Sequence, residues 1–216
     1  MILETLAAAL ICLDPGHGTV PSVGAQREPI GPGSTTLKIK DPGGTAGEAP
    51  IALAIARRTR ALLLARGYRV AMTRNGPGYT GGNVERARFC NERHAALMIR
   101  IHADGSTSRS QRGAHTLYPA LHRGWTDDVY RPSLLAATLV QRELARATGA
   151  RDLGLQRRSD LTGFNWADVP VVLTEVGFLT NPAESRLLHS SAYQQRVARG
   201  LAAGAESYLA KRANRG

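Results

Sequence analysis

Short apolar runs that end at polar or glycine-containing turns recur along the chain and alternate with segments of helical pattern. The first run covers 10–13 and stops at the turn Asp14-Pro15-Gly16-His17-Gly18. Apolar runs of this length, bounded by Pro and Gly, predict buried strands. Further strands are predicted at 68–73, 95–101, 113–118 and 169–174.

Helical patterns fill the intervals between these strands. One helix is predicted at 51–66 and another at about 84–93. Ser133 is typical of the N-cap of a helix that runs to Thr148, and a last helix covers about 192–211. Because strands alternate with helices, the fold class predicted is α/β, a single domain with a twisted, mostly parallel or mixed sheet flanked by helices.

The segment 19–47 interrupts this alternation. It holds six glycines and four prolines and shows no clear periodicity. Such a long link is uncommon inside a compact domain, and is usually functional or disordered. The alternating piece 36–40 within it predicts a short strand or hairpin arm, and Glu48 follows the segment directly before a helix.

The charge of the chain narrows the class of partner. The formal net charge is +11, and all basic residues except three lysines are arginines. Such a charge favours polyanions, namely nucleic acid, anionic lipid or an acidic polymer. The arginines are scattered along the helices, aromatic residues make up only 5%, and no zinc-finger, RNP-type or basic-zipper pattern occurs. We therefore expect an acidic partner that is not nucleic acid.

Membrane and targeting signals are absent from the sequence pattern. No apolar run approaches the roughly 20 residues that a bilayer-spanning helix needs. The first residues, Met1-Ile2-Leu3-Glu4, include an acid and lack the basic region with which a signal peptide begins. We therefore predict no transmembrane segment, and no signal peptide is evident.

The two cysteines allow two arrangements. Cys12 lies in the first predicted strand and Cys90 in a predicted helix, too far apart in sequence for a CxxC metal or redox site. Two buried thiols are the commoner case for cysteines in apolar surroundings. One disulfide is the alternative in an exported protein. The sequence favours the thiols and leaves the disulfide open.

Candidate chemistry lies where the predicted strands end. His17, His102 and Glu175 each follow a strand, and open α/β sheets place their ligand sites at such ends. Two histidines and one carboxylate form a known catalytic zinc set, and Glu48 offers a second carboxylate. Zinc activates a water and polarises a carbonyl, and a carboxylate that is not a ligand moves the proton of that water. The spacing matches no short-range metal signature such as HExxH, so each glutamate could also be a surface charge.

Six motifs occur in a fixed order around these residues. They are DPGHG (14–18), the glutamate before a helix (48), GNVERARFCN (82–91), IRIHAD (99–104), GAHTLY (113–118) and LTEVGFLTNP (173–182). Together they resemble the zinc-dependent N-acetylmuramoyl-L-alanine amidases, a family of bacterial cell-wall hydrolases, over about residues 10–210. The resemblance implies His17, Glu48 and His102 as ligands of Zn²⁺ and Glu175 as the catalytic acid and base.

The resemblance also implies a reaction and a place for it. The reaction is hydrolysis of the amide between the lactyl group of N-acetylmuramic acid and the L-alanine of the stem peptide in peptidoglycan. We expect a single catalytic domain over 1–216, with its core at about 10–210, no separate wall-binding module and a monomeric state. An exported location is implied, in the periplasm, cell wall or extracellular space. The alternatives are a zinc peptidase that cleaves another stem-peptide amide and a catalytically silent wall-binding module.

Several residues keep two interpretations. Glu28 is the alternative to Glu48 as the carboxylate ligand of Zn²⁺, because the segment 19–47 is richer in Gly and Pro than the short link usual in the family. Asp104 is predicted either to orient a ligating imidazole or to be an exposed loop residue. Arg74 and Arg86 either contact carboxylates of the stem peptide or hold loops together.

Two further expectations follow from the same comparison of motifs. The stretch 119–132 is too short for the extra helix that occludes the zinc in some relatives, so we expect an open site. The remaining histidines have no partner pattern and are predicted to be surface or packing residues; they are His94, His115, His122 and His189.

Overall fold

The computed structural model describes residues 9–214, so the start of the chain, where no signal peptide is evident, lies outside the described residues. The strands are β1 (Leu10–Pro15), β2 (Arg27–Pro29), β3 (Leu37–Ile39), β4 (Arg69–Met72), β5 (Leu97–Asp104), β6 (Ala114–Pro119), β7 (Asp152–Arg158) and β8 (Val171–Phe178). The helices are α1 (Pro21–Gly24), α2 (Glu48–Leu64), α3 (Asn83–Asn91), α4 (Tyr130–Thr148), α5 (Thr162–Asn165), α6 (Pro182–His189) and α7 (Ser191–Ala213). Within this described range, no helix has the length and apolar character that crossing a membrane requires.

Six strands form one mixed sheet in the order β4-β1-β5-β8-β6-β7. The first four lie parallel to one another, whereas β6 pairs antiparallel with β8 and parallel with β7. The strands β2 and β3 pair separately as an antiparallel hairpin. The single α/β domain with a mostly parallel, mixed sheet is therefore confirmed, and so is the hairpin arm at 36–40.

The sheet divides the apolar residues into two unequal clusters. Alternate residues of a strand face opposite sides, so Leu97, Ile99 and Ile101 of β5 face the larger cluster, which α2, α4 and α7 cover. Met98 of β5 faces the smaller cluster, to which α3 and α5 contribute Cys90 and Phe164. Because α3 and α5 are short, this second face is thinly covered and stays open near the carboxyl ends of β5 and β8.

Some elements differ from the sequence-based expectation. The prediction of Ser133 as an N-cap is wrong, because α4 begins at Tyr130 and the buried Ser133 Oγ accepts a hydrogen bond from the Val171 backbone N–H at 2.9 Å. The strand β7 has no apolar run because it lies at the edge of the sheet and is largely exposed. The helices α1, α5 and α6 are too short to show a helical period.

Cys12 and Cys90 form a disulfide, so the expectation of two free thiols is wrong. Both residues are fully buried in the smaller cluster, where the bond joins β1 to α3. The sequence could not settle the pairing, because nothing in either pattern shows that this helix packs against this strand. The bond closes a loop of 78 residues, which restricts the unfolded chain considerably.

We predict that replacing both cysteines (Cys12→Ala with Cys90→Ala) lowers the free energy of unfolding by about 2–5 kcal/mol, because the unfolded chain regains the entropy of the open loop. Urea denaturation followed by circular dichroism measures the change. A reducing agent should lower the stability of the wild-type protein by a comparable amount and leave the double variant unchanged. Equal stability of variant and wild type would contradict the prediction.

Candidate metal centre

The turn after β1 presents His17 in an unusual backbone conformation. His17 has φ of 56° and Gly18 has φ of 82°, and few non-glycine residues adopt such positive values. Gly16 lies against the ring of His102 so closely that a Cβ at this position would collide with the imidazole. A Cβ at Gly44 would collide with the Glu48 carboxylate and the His17 ring. The chain therefore needs glycine at both positions for the two histidines and the glutamate to meet.

A buried carboxylate holds this turn in place. Asp14 is fully buried and accepts hydrogen bonds from Arg86 Nη1 at 2.7 Å and Arg100 Nε at 2.8 Å. Burial alone would raise the pKa of Asp14, but the two guanidinium groups and the Thr73 hydroxyl outweigh it and hold the pKa well below its usual range. Asp14 therefore stays ionised and fixes both arginines beneath the turn.

The two arginines of uncertain role bind backbone carbonyls. Arg86 donates to Pro15 O at 2.9 Å and His17 O at 2.8 Å, while Arg74 donates to Gly16 O and Ala49 O, each at 2.8 Å. Both side chains are buried. Their contacts hold the turn against the start of α2. The structure therefore favours the interpretation that the two arginines hold loops together, rather than the one in which they contact carboxylates of the substrate.

Three predicted residues meet at this edge of the sheet. One side-chain ligand atom from each of His17, Glu48 and His102 lies within 4.8 Å of the others. Glu48 Oε1 is 3.2 Å from His17 Nε2 and 2.9 Å from His102 Nδ1. Tetrahedral zinc, with bonds of about 2.0–2.1 Å, holds its ligand atoms roughly 3.3 Å apart. The donor set and its spacing therefore fit a metal ion.

Asp41 orients the first of these histidines, and the sequence analysis missed it. Its Oδ1 lies 2.6 Å from His17 Nδ1, so that Nε2 faces Glu48. The backbone N–H groups of Thr19 and Gly43 donate to the Asp41 carboxylate at 3.0 and 2.9 Å and fix it. The only signal in the sequence is a turn-forming Asp-Pro-Gly, which does not show which residue the carboxylate contacts.

Of the two interpretations of Asp104, the structure favours the loop residue over a side chain that orients a ligating imidazole. Asp104 accepts a hydrogen bond from the Gly105 backbone N–H, and its Oδ2 is 3.8 Å from Nε2 of His115, which is not one of the three candidate ligands. About a third of the Asp104 side chain is exposed. Asp41 fills the orienting role instead.

The charge states of Glu48 and His102 suit a cation, whereas His17 has to release a proton before it can bind one. Burial lowers the pKa of His17, but the carboxylates of Asp41 and Glu48 outweigh burial and raise it to about 9. Burial of His102 lowers its pKa, which favours the neutral imidazole that metals bind. Burial would raise the pKa of Glu48, and the two imidazoles outweigh this effect, hold the pKa below its usual range and keep the carboxylate ionised. The carboxylates of Asp41 and Glu48 thus both contact the histidines of the cluster.

Glu28 has a structural role that differs from the role of Glu48. Its Oε1 accepts hydrogen bonds from the Asn83 backbone N–H and side-chain amide, each at 3.0 Å, and its Oε2 accepts from the Val84 N–H at 3.1 Å. These contacts satisfy free N–H groups at the start of α3, where a negative charge is favourable. Glu28 is therefore a helix-capping residue, and Glu48 is the glutamate that meets the histidines.

A row of polar side chains continues from the cluster across the sheet. Glu175 on β8 lies opposite His102 on β5 and opposite His115 on β6, so the three side chains share one face. Burial, together with the carboxylates of Asp104 and Glu48, raises the pKa of Glu175 well above its usual range. His115 is buried, as a packing residue would be, but it lies opposite Glu175 in the register of the sheet.

Two cavities flank the row. One of about 240 Å³ is lined by His17 and His102 and by basic side chains that include Lys38 and Lys40. The other, of about 330 Å³, is lined by Glu175, His115 and further polar residues. The stretch 119–132 forms turns until α4 begins at Tyr130, so no occluding helix occurs there before that residue. Three metal-binding side chains beside a buried carboxyl are typical of a metal-dependent hydrolase.

Comparison with known proteins identifies the family. Residues 11–207 match the model of the N-acetylmuramoyl-L-alanine amidase family. The chain is 32% identical to the N-acetylmuramoyl-L-alanine amidase Rv3717 of Mycobacterium tuberculosis over 222 aligned positions, which cover 95% of this chain and 88% of that protein. The germination-specific N-acetylmuramoyl-L-alanine amidase of Bacillus subtilis is 28% identical, over 96% of this chain and 82% of its own length.

A solved structure agrees with these sequence matches. The crystal structure of the N-acetylmuramyl-L-alanine amidase Ami1 from Mycobacterium smegmatis matches with a TM-score of 0.85 at 32% identity, and the match covers 95% of this chain and 99% of that one. The chain belongs to the N-acetylmuramoyl-L-alanine amidase family. The resemblance found in the six sequence motifs is thereby confirmed.

We predict that Asp14→Asn lowers the free energy of unfolding by about 3–5 kcal/mol at neutral pH, because two buried guanidinium groups lose their counter-charge. The pKa of Asp14 is lowered on folding, so its stabilising effect is present above the unfolded-state pKa of about 3.9 and is lost as the pH falls below it. Urea denaturation at several pH values should show the deficit shrinking in acid. Asp160→Asn, which removes an exposed ion pair with Arg158, is the matched control and should cost about 1 kcal/mol or less.

We predict that Asp41→Asn weakens zinc binding about 10–100-fold, because His17 loses the carboxylate that orients its ring. Isothermal titration calorimetry with zinc measures the affinity. Asp104→Asn is the matched control and should bind zinc as the wild type does. The opposite ranking of these two variants would restore Asp104 as the orienting residue.

Proposed function

We propose that this chain is a zinc-dependent N-acetylmuramoyl-L-alanine amidase that cleaves the amide between N-acetylmuramic acid and the L-alanine of the stem peptide in peptidoglycan. One observation carries the proposal: His17, Glu48 and His102 converge within 4.8 Å on the face of the sheet that also carries Glu175. The family to which the chain belongs supports the choice of bond. We propose further that the catalytic domain is formed by about residues 10–210 and acts as a monomer.

His17, Glu48 and His102 would hold the zinc ion. When bound, zinc supplies a Lewis acid that lowers the pKa of a water and polarises the carbonyl of the scissile amide. Asp41 holds the His17 ring with Nε2 toward Glu48, and the Ala103 backbone N–H, 3.2 Å from Glu48 Oε1, helps to fix the carboxylate. The chain would thus supply three ligands, the number that catalytic zinc sites take from the protein.

Glu175 is proposed as the group that moves the proton. It takes the proton from the attacking water and passes it to the nitrogen of the departing L-alanine, so that one residue serves as base and then as acid. Burial raises the pKa of this carboxyl, and a raised pKa suits a group that must both accept and release a proton near neutral pH. Its position on β8, one strand from His102, places it beside the proposed ligands.

The rest of the molecule suits work on a cell wall. A net charge of +11 favours binding to an acidic polymer, and the arginines that carry most of it are spread along the chain. The disulfide between Cys12 and Cys90 is favoured in an oxidising compartment outside the cytoplasm. We therefore infer an exported protein.

We predict that the purified protein releases intact stem peptides with a free L-alanine amino group from peptidoglycan, and that mass spectrometry identifies them. A chelator should abolish release and added zinc should restore it. Glycan fragments that still carry part of the stem peptide would identify a zinc peptidase instead. Full activity in the presence of the chelator would contradict the zinc assignment.

Two variants separate the roles within this prediction. Glu48→Ala should lose zinc affinity, with activity partly recovered by excess zinc. Glu175→Gln should keep zinc bound while turnover falls roughly 10²–10⁴-fold, because an amide cannot accept the proton of the water. Glu28→Ala is the matched control and should lower stability through α3 without changing zinc content. Loss of zinc in Glu175→Gln would contradict the assignment of Glu175.

A further inference from the structure

Nδ1 of His115 on β6 and Oε2 of Glu175 on β8 are both buried without a hydrogen-bond partner among the described residues. Nε2 of His102 on β5, a proposed zinc ligand, is buried without such a partner as well. Buried polar groups in folded proteins nearly always have a partner, because an unmade hydrogen bond leaves the cost of desolvation uncompensated. Packing alone therefore does not account for a histidine at position 115.

The register of the sheet places these two groups side by side. His115 on β6 lies directly opposite Glu175 on β8 in an antiparallel pair, so both side chains leave the same face. The Cβ atoms of such opposite residues are about 4.5–5.5 Å apart, a distance that an imidazole and a carboxyl span by side-chain rotation. Both residues line the same cavity of about 330 Å³.

Phe178 and Asp104 lie beside the ring of His115 and leave Nδ1 without a partner. The ring stacks on Phe178 with a centroid distance of 6.0 Å. Asp104 Oδ2 is 3.8 Å from Nε2, too far for a direct hydrogen bond, so it does not decide which nitrogen carries the hydrogen. The tautomer with its hydrogen on Nδ1 can therefore donate to Glu175.

We propose that His115 is a positioning residue for Glu175, and that its Nδ1–H donates a hydrogen bond to Glu175 Oε2 during turnover. The inference rests on the proposed function, because it requires Glu175 to be the proton carrier. With Oε2 held by His115, the other oxygen of the carboxyl remains free to take up and release the proton. Oε2 accepts the same hydrogen bond before and after the other oxygen takes up the proton, so the carboxyl need not rotate between the two steps.

The test replaces His115 in three ways. His115→Phe keeps a stacking ring and removes both nitrogens; kcat should fall about 10–100-fold with KM within about twofold of wild type, because the lost hydrogen bond orients a carboxylate and does not hold substrate. His115→Asn places an amide near the position of Nδ1 and should recover most of kcat. His115→Gln places its amide near the position of Nε2 and should not. Zinc content and thermal unfolding of all three variants verify that the fold and the metal centre are intact.

A double-mutant cycle tests whether His115 acts through Glu175. Adding His115→Phe to Glu175→Gln should lower the residual rate less than twofold, since the group that His115 positions is already disabled. The inference is overturned if the two losses multiply, if KM rises while kcat stays unchanged, or if the Asn and Gln variants are equally active. If His115→Phe keeps the wild-type kcat, this inference is overturned and the proposed function is not affected. A wild-type protein without amidase activity overturns the proposed function, and this inference with it.

Discussion

The carboxylate of Asp14, buried at the end of β1 between Arg86 and Arg100, is the interaction on which the site depends. Three charges taken out of water are costly, and they are tolerated only where geometry and further hydrogen bonds compensate. Here the guanidinium of Arg86 also binds the carbonyl of His17, so the same network that neutralises the charges fixes the turn. The positive φ of His17, which is unfavourable for a residue with a Cβ, persists because the surrounding contacts determine it.

The strands that carry the site could be predicted because they are buried on both faces. The apolar runs of β1 and β8 need no alternation when helices cover each side of a sheet. The polar residue beyond each run then stands out: His17 follows β1, and Glu175 lies within β8, which continues to Phe178 and so is longer than predicted. The order of the motifs further indicated Glu48 as the carboxylate ligand of the metal ion. The choice between Glu28 and Glu48 required the structure, because the sequence has two glutamates in or directly after a long link and no periodic pattern that would place either of them.

Other parts of the site depend on contacts that no local pattern encodes. Asp41 meets His17 across 24 residues of glycine- and proline-rich chain, and its role follows only from where that chain returns to the sheet. Ser133 resembles an N-cap, yet its hydroxyl binds the backbone of β8 from inside a helix. In each case a long-range contact overrides the local preference, as is usual for short polar side chains.

The disulfide has a consequence for the motions of the protein. The helix α3 packs on the smaller apolar cluster, and elements with few buried contacts are those that open without global unfolding. Cys90 joins this helix to β1, a largely buried strand that pairs with β5 inside the sheet. Local opening of α3 would withdraw Arg86 from the turn that carries His17. The covalent link at Cys90, four residues further along the same helix, limits how far the helix can move away from β1. A peripheral helix is thereby tethered to the strand that leads into the histidine turn, and Arg86 stays close to the carbonyl that it binds.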